Sequence, residues 1–211
     1  LDTMRERLIV GKSTSTQRKI EIYSQGVKAK LKHAEYAQSQ LRELASQGDY
    51  ETTDPTFPCN DRIHFYTDSF FAFLYSTLDV IAQVANQALE LRIDERQDSF
   101  ARVITPLHIS PPVQRLFTQL SNKHIYKHLD KYRNCSTHRR QVYMRIETLT
   151  VEETAGYSST DRQLTVSRKY TLCDDPLSLN PKTSKDRELI SYTAEMLKKV
   201  KTEISKIARQ L

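Results

Sequence analysis

Long stretches with the hydrophobic period of an α-helix run through most of this chain. From about Thr16 to Ser46, apolar residues recur close to the helical period, which places them on one side of a helix. The members of this stripe are Ile20, Tyr23, Val27, Leu31, Ala34, Leu41 and Leu44. The 4 glycines and 7 prolines are low counts, and an all-β fold would need many more turns. The pattern therefore predicts a mostly α-helical fold.

Three further helices follow from the same period. The second runs from about Asn60 to Arg92 and is apolar around most of its circumference, which predicts the most buried helix. The third runs from about Pro112 to His138, after a capping Ser110 and two prolines, with a break near Ser121-Asn122. The last begins near Ser184. Its apolar stripe comprises Leu189, Thr193, Met196, Leu197, Val200, Ile204, Ile207 and Leu211.

Between the third and fourth predicted helices the hydrophobic period changes to two, which is typical of strands. The alternating apolar residues are Val142, Met144, Ile146 and Leu149, then Leu164, Val166, Tyr170 and Leu172. Gly156 and its polar neighbours lie between the two runs and indicate a turn. The expected architecture is a four-helix bundle with a β-hairpin, about 141–173, inserted between helices 3 and 4. With 211 residues, we expect a single domain over 1–211.

Composition limits the classes of partner and compartment. No apolar run is long enough to span a membrane, and Leu1 to Arg7 lack the apolar core of a secretory signal. The 3 cysteines have no metal-type spacing, so we expect no zinc site, no disulfide framework and a cytoplasmic protein. The net charge of +6 favours polyanionic partners such as RNA, because basic side chains attract phosphates.

The end of the third predicted helix combines three side chains suited to phosphate chemistry. His138 can take or give a proton near neutral pH. Arg133 supplies a permanent cation whose planar donors fit phosphate oxygens. Asn134 can hold the other groups by hydrogen bonds without titrating. Together they could activate a ribose 2′-hydroxyl against the adjacent phosphate, a reaction that requires neither a metal nor a cofactor.

Arg133-Asn134, three residues and then His138, at the end of a long helix, resembles the motif of the HEPN superfamily. The resemblance implies a mostly helical protein that dimerises near this helix and cleaves RNA without metal. It implies that Arg133 binds the scissile phosphate, Asn134 orients the site and His138 acts as general base or acid. It also suggests a toxin or phage-defence effector, with an antitoxin or regulatory protein as a partner.

Two details qualify the resemblance. Some HEPN toxins carry a tyrosine two residues after the histidine, where a nucleotidyltransferase antitoxin modifies it, and here that position is Arg140. On an ideal helix Asn134 and His138 share a face, whereas Arg133 and His138 diverge by about 140°. A working site therefore requires Arg133 to reach around, the helix to loosen at its end, or a second subunit to contribute.

A basic stripe on the third predicted helix is a candidate RNA-binding surface. His124, Lys127, His128, Lys131 and His138 fall within a sector about 100° wide, and Arg139 and Arg140 follow. The alternative is an ordinary solvated face. His124 and His128, four residues apart, also have the spacing of a metal-binding pair, but the sequence offers no third ligand.

Two other functions are compatible with this sequence. One is a catalytically inactive HEPN domain that binds a nucleotide or a protein partner. The other is a plain helical interaction protein, in which His138, Arg139 and Arg140 only complement the dipole at a helix C-terminus.

Overall fold

The computed structural model of the chain describes residues 8–46, 59–94, 100, 111–138, 144–155, 162–173, 176–177 and 186–211. Its helices are α1 (Thr14–Ser46), α2 (Cys59–Leu89), α3 (Pro111–Asn122), α4 (His124–His138) and α5 (Leu189–Gln210). Its strands are β1 (Met144–Ala155), β2 (Arg162–Cys173) and β3 (Asp186–Glu188). The predictions of a mostly helical chain and of an antiparallel hairpin are confirmed. Within the described residues, no helix combines the length and apolar character needed to cross a membrane.

The break expected near Ser121-Asn122 is present at Lys123, where the helical hydrogen bonding is interrupted and the third predicted helix divides into α3 and α4. One boundary differs from that expected from the sequence. The last helix begins at Leu189 rather than near Ser184, because Asp186–Glu188 form a third strand that the sequence did not predict. A strand of 3 residues is too short to show a period of two.

The strands form one antiparallel sheet in the order β1-β2-β3. Met144 is opposite Leu172 and Ala155 is opposite Arg162, so β1 and β2 pair along their whole lengths. The register shifts between Thr148 and Thr150, where one strand carries an extra residue as in a β-bulge. The short β3 pairs only with the end of β2, from Thr171 to Cys173.

The described residues group into two compact units. Unit 1 contains those up to Ala34, those of Ala72–Asp130 and those of Met196–Leu211. Unit 2 contains those of Glu35–Phe71 and of Lys131–Glu195, and therefore includes the sheet and the end of α4. The division falls inside α1, α2, α4 and α5.

Aromatic rings connect three helices within unit 1. Phe100, fully buried, stacks on Phe117 of α3 with 5.2 Å between ring centroids, and contacts Tyr126 of α4 at 5.0 Å. Its backbone N–H donates to Asp79 Oδ1 of α2 at 3.0 Å. Phe100 therefore ties α2, α3 and the first part of α4 together.

The end of α2 is closed by a tight hydrogen-bonded turn. Glu90 has the left-handed φ of 55°, and the N–H of Leu91 donates to the carbonyl of Asn86 at 3.0 Å. This pairing satisfies a carbonyl that the helix itself leaves free. The Asn86 side chain binds both the N–H and the carbonyl of Ile93, and Glu90 pairs with Lys12 at 2.7 Å. These contacts hold the segment after α2 in place.

Glu188 caps the N-terminus of α5. One carboxylate oxygen accepts the N–H of Ile190 at 2.8 Å, and the other accepts the N–H and the hydroxyl of Ser191. Partial burial tends to raise the pKa of Glu188, but the hydrogen bonds from Ser191 and Ile190 outweigh it and hold this pKa below its usual value. The charged carboxylate therefore stabilises the start of α5.

We expect Glu188→Gln to lower the free energy of unfolding by roughly 0.5–1 kcal/mol at pH 7. This is the lower part of the range for loss of a helix N-cap, because the carboxylate is partly exposed to solvent. Because folding lowers this pKa, the stabilisation is complete above about pH 4.3, the usual glutamate value, and is lost as the pH falls through the folded-state pKa. Urea unfolding of both chains at pH 7 and pH 3 checks this. A difference between them that grew on acidification would contradict the role of the charge.

Candidate functional site

The C-terminal part of α4 is held by two buried side chains in unit 2. The ring of Tyr132 lies flat on that of Phe71 of α2, with 4.1 Å between centroids and 6° between planes. Its hydroxyl donates to the carbonyl of Cys173, at the end of β2, at 2.5 Å. The Sγ atom of Cys135 donates to the carbonyl of Pro176 at 3.4 Å. The end of α4 is therefore fixed to α2, to β2 and to the segment after β2.

Arg133 and Asn134 lie between these two anchors and are half-buried. An Nη1 N–H of Arg133 donates to Asn134 Oδ1 at 2.9 Å. The hydroxyl of Ser136 donates to the backbone carbonyl of Arg133 at 3.2 Å. The amide of Asn134 therefore orients the guanidinium, which is the kind of restraint that a fixed phosphate-binding group needs.

His138 is the last residue of α4, six residues after Tyr132 and therefore about 9 Å further along the helix axis. Its side chain, and all of Arg139 and Arg140, lie outside the described residues. The structure thus brings Arg133 and Asn134 together, and the catalytic role expected of His138 stays a prediction.

The basic stripe on α4 is only partly exposed. His124 and Lys127 are exposed and Lys131 is half-buried, but His128 is buried, with 5% of its surface accessible. The predicted stripe is therefore interrupted by a buried residue at His128. Its ring lies against that of His124, with 3.6 Å between centroids.

His128 is buried because it lies on the buried face of α4. Its buried residues are Ile125, His128, Leu129, Tyr132 and Cys135, which recur every three or four positions. His128 belongs to this series, so its place in the helical period outweighs the polarity of its side chain. Among the described residues, no third His, Cys, Asp or Glu joins His124 and His128 in a group that could hold a metal.

The sequence alone does not reveal the anchors of the site. Tyr132 and Cys135 continue the apolar period of Ile125 and Leu129, so their burial could have been predicted. Their partners could not, because Cys173 and Pro176 each lie 41 residues away in the chain.

Comparison with known protein families tests whether the chain belongs to the HEPN superfamily, as its motif suggests. The family model described as Cthe2314-like HEPN matches residues 16–208 of the 211. The chain belongs to this HEPN family. The match includes the described parts of α4, the sheet and nearly all of α5, so the HEPN domain contains the Arg133–Asn134 pair and both anchors. Searches of curated proteins and of solved structures returned no match to the chain.

Proposed function

We propose that this HEPN chain is a metal-independent endoribonuclease that uses Arg133, Asn134 and His138. The observation that carries the proposal is the hydrogen bond from Arg133 to Asn134, on a helix end that Tyr132 and Cys135 hold in place. A restrained guanidinium can neutralise the charge that develops on a phosphate, and a histidine can transfer protons, so these two groups together can cleave RNA without a metal. Family membership supports the same conclusion, because HEPN domains are often ribonucleases.

The proposed reaction is an internal transfer at one phosphate of the RNA chain. The ribose 2′-oxygen attacks the adjacent phosphorus while His138 takes the 2′-hydroxyl proton. The bond from phosphorus to the 5′-oxygen breaks, and the 5′-oxygen receives a proton from the imidazolium that His138 forms when it takes the 2′-hydroxyl proton. Arg133 neutralises the charge that develops on the phosphate oxygens, and Asn134 keeps its guanidinium in place. The products are a 2′,3′-cyclic phosphate and a 5′-hydroxyl.

The exposed basic residues of α4 are proposed contacts for the RNA backbone. Lys127 and His124 are exposed, Lys131 is half-buried, and Arg139 and Arg140 follow the motif. Such contacts release counterions, so binding should weaken as salt increases. The buried His128 would act by packing against His124 rather than by touching RNA.

We also propose that residues 1–211 act as one domain, a four-helix HEPN bundle with α3 and α4 together as its third helix, and that two copies form a homodimer. On a helix, Arg133 and His138 point about 140° apart, so a second copy can complete the site. A cytoplasmic role as a toxin or phage-defence effector, with an antitoxin or regulatory protein as partner, is the biological setting that we propose.

His138→Ala is expected to lower RNA cleavage in EDTA by about 10²–10⁴-fold, because a general acid–base group contributes about that much. The assay measures the rate at which the full-length chain cleaves an RNA of mixed sequence in excess EDTA. His33→Ala is the matched control, since His33 is an exposed histidine of α1 in unit 1. We expect this control to cleave at the wild-type rate.

Equal cleavage by wild type and His138→Ala would contradict the role of this histidine. If the wild-type chain leaves RNA intact in EDTA but binds a nucleotide or phosphate in an Arg133-dependent manner, the alternative of a catalytically inactive HEPN domain replaces the proposal.

A further inference from the structure

Unit 2 presents three neighbouring aromatic rings at its surface. Tyr36 of α1 is 59% exposed and Phe65 of α2 is 56% exposed, which is unusual for side chains of this size. Tyr66 of α2 is half-buried and contacts both of them. We refer to Tyr36, Phe65 and Tyr66 as the aromatic surface.

The rings of the aromatic surface meet edge to face. Tyr36 and Tyr66 have centroids 6.3 Å apart and planes at 77°, and Phe65 and Tyr66 have centroids 5.3 Å apart and planes at 72°. Edge-to-face packing fixes ring orientations without covering both faces of each ring. Exposed faces held in this way are available for stacking by a planar ligand.

The surroundings favour a nucleobase over an apolar protein segment. Among the described residues of unit 2, the exposed large apolar side chains are Tyr36 and Phe65, so the exposed apolar area is aromatic rather than aliphatic. Burial and the Tyr36 hydroxyl raise the pKa of Tyr66. The positive charge of Arg62 lowers this pKa, and its effect is larger than the increase caused by Glu43. Arg62 precedes Tyr66 by four residues on α2, so it lies one turn away on the same face of the helix, where a phosphate joined to a stacked base could reach it.

We propose that the aromatic surface binds unpaired bases of single-stranded RNA by stacking, with Arg62 contacting the adjoining phosphate. The inference rests on the proposed function, which makes RNA the substrate, and it names single-stranded RNA as the class that is selected. Bases inside a duplex keep both faces covered by their neighbours and cannot stack on protein rings. The net charge of +6 supports an anionic occupant.

The test measures the affinity of the full-length chain for a fluorescent 2′-O-methyl uridine oligomer, which lacks the 2′-hydroxyl and so cannot be cleaved. The same oligomer in a duplex is the second ligand. Phe65→Leu and Tyr36→Leu keep an apolar side chain but remove the ring, and Phe65→Trp keeps a ring. Ile22→Leu is the matched control, because Ile22 is 54% exposed on α1 but belongs to unit 1.

We expect Phe65→Leu and Tyr36→Leu each to weaken binding of the single strand about fivefold or more, the loss of one stacking ring. Phe65→Trp and Ile22→Leu should bind the single strand with wild-type affinity. The affinity for the duplex should be the same in the wild-type chain and in every variant. Unchanged affinity in both leucine variants overturns the inference. An altered oligomeric state with unchanged RNA affinity also overturns it, because a second copy would then occupy the surface.

The two proposals fail separately. A chain that binds the single strand through the aromatic surface but leaves cleavable RNA intact refutes the nuclease proposal alone. A chain that cleaves RNA with unchanged rates and affinities in the leucine variants refutes the stacking inference alone. A chain that neither binds nor cleaves RNA refutes both.

Discussion

Replacement of Arg133 by alanine is expected to lower the rate of RNA cleavage by about 10²–10³-fold, the usual loss when one fixed donor to a developing anion is removed. The guanidinium is held by Asn134 at 2.9 Å, so its donors are oriented before the substrate arrives. Arg133→Lys should recover only part of the rate, because an ammonium keeps the charge but not the planar pair of donors. Single-turnover cleavage in EDTA measures both variants.

The two Arg133 variants must be shown to fold like the wild-type chain. Arg133 is half-buried and its neighbours Tyr132 and Cys135 supply the buried contacts, so the thermal midpoint should change little. Arg133→Lys as active as wild type would contradict bidentate phosphate binding. Mixing Arg133→Ala with His138→Ala chains tests whether two copies share a site, since mixed dimers would then regain activity.

Tyr132→Ala is expected to cost about 3–5 kcal/mol of folding free energy, the range for removing a large buried aromatic side chain. Tyr132 is fully buried, stacks on Phe71 and contacts Tyr192 at 6.3 Å. Its removal would leave a cavity between α2, α4 and α5 within unit 2. Urea unfolding followed by circular dichroism gives the change directly.

Tyr132→Phe is the matched comparison. It keeps the ring stacked on Phe71 and removes only the hydrogen bond to Cys173, so the loss should be about 0.5–1.5 kcal/mol. If alanine and phenylalanine destabilise the chain equally, the hydroxyl rather than the ring anchors α4, and the packing argument is wrong.

The helices were predictable because burial of one face imposes a period that the residues themselves display. The apolar stripe predicted a first helix from about Thr16, and the observed α1 begins two residues earlier, at Thr14. The hairpin was visible for the same reason, through alternation. By contrast, β3 has 3 residues and shows no period.

The candidate site was predictable only in part. The residue types at 133, 134 and 138 suggested the chemistry, because few side chains combine proton transfer with phosphate binding. The burial of His128 was missed because its polarity was given more weight than its place on the core face of α4. The aromatic surface was missed as well, since Tyr36 and Phe65 come together only when α1 and α2 pack in unit 2.

We propose that this chain cleaves RNA by attack of the 2′-hydroxyl at a site built from Arg133 and His138. Mass spectrometry can identify the ends formed when the full-length chain acts on a defined RNA in EDTA. We expect 2′,3′-cyclic phosphate and 5′-hydroxyl ends, which should be absent with His138→Ala. Intact RNA, or fragments with 5′-phosphate ends, would contradict it.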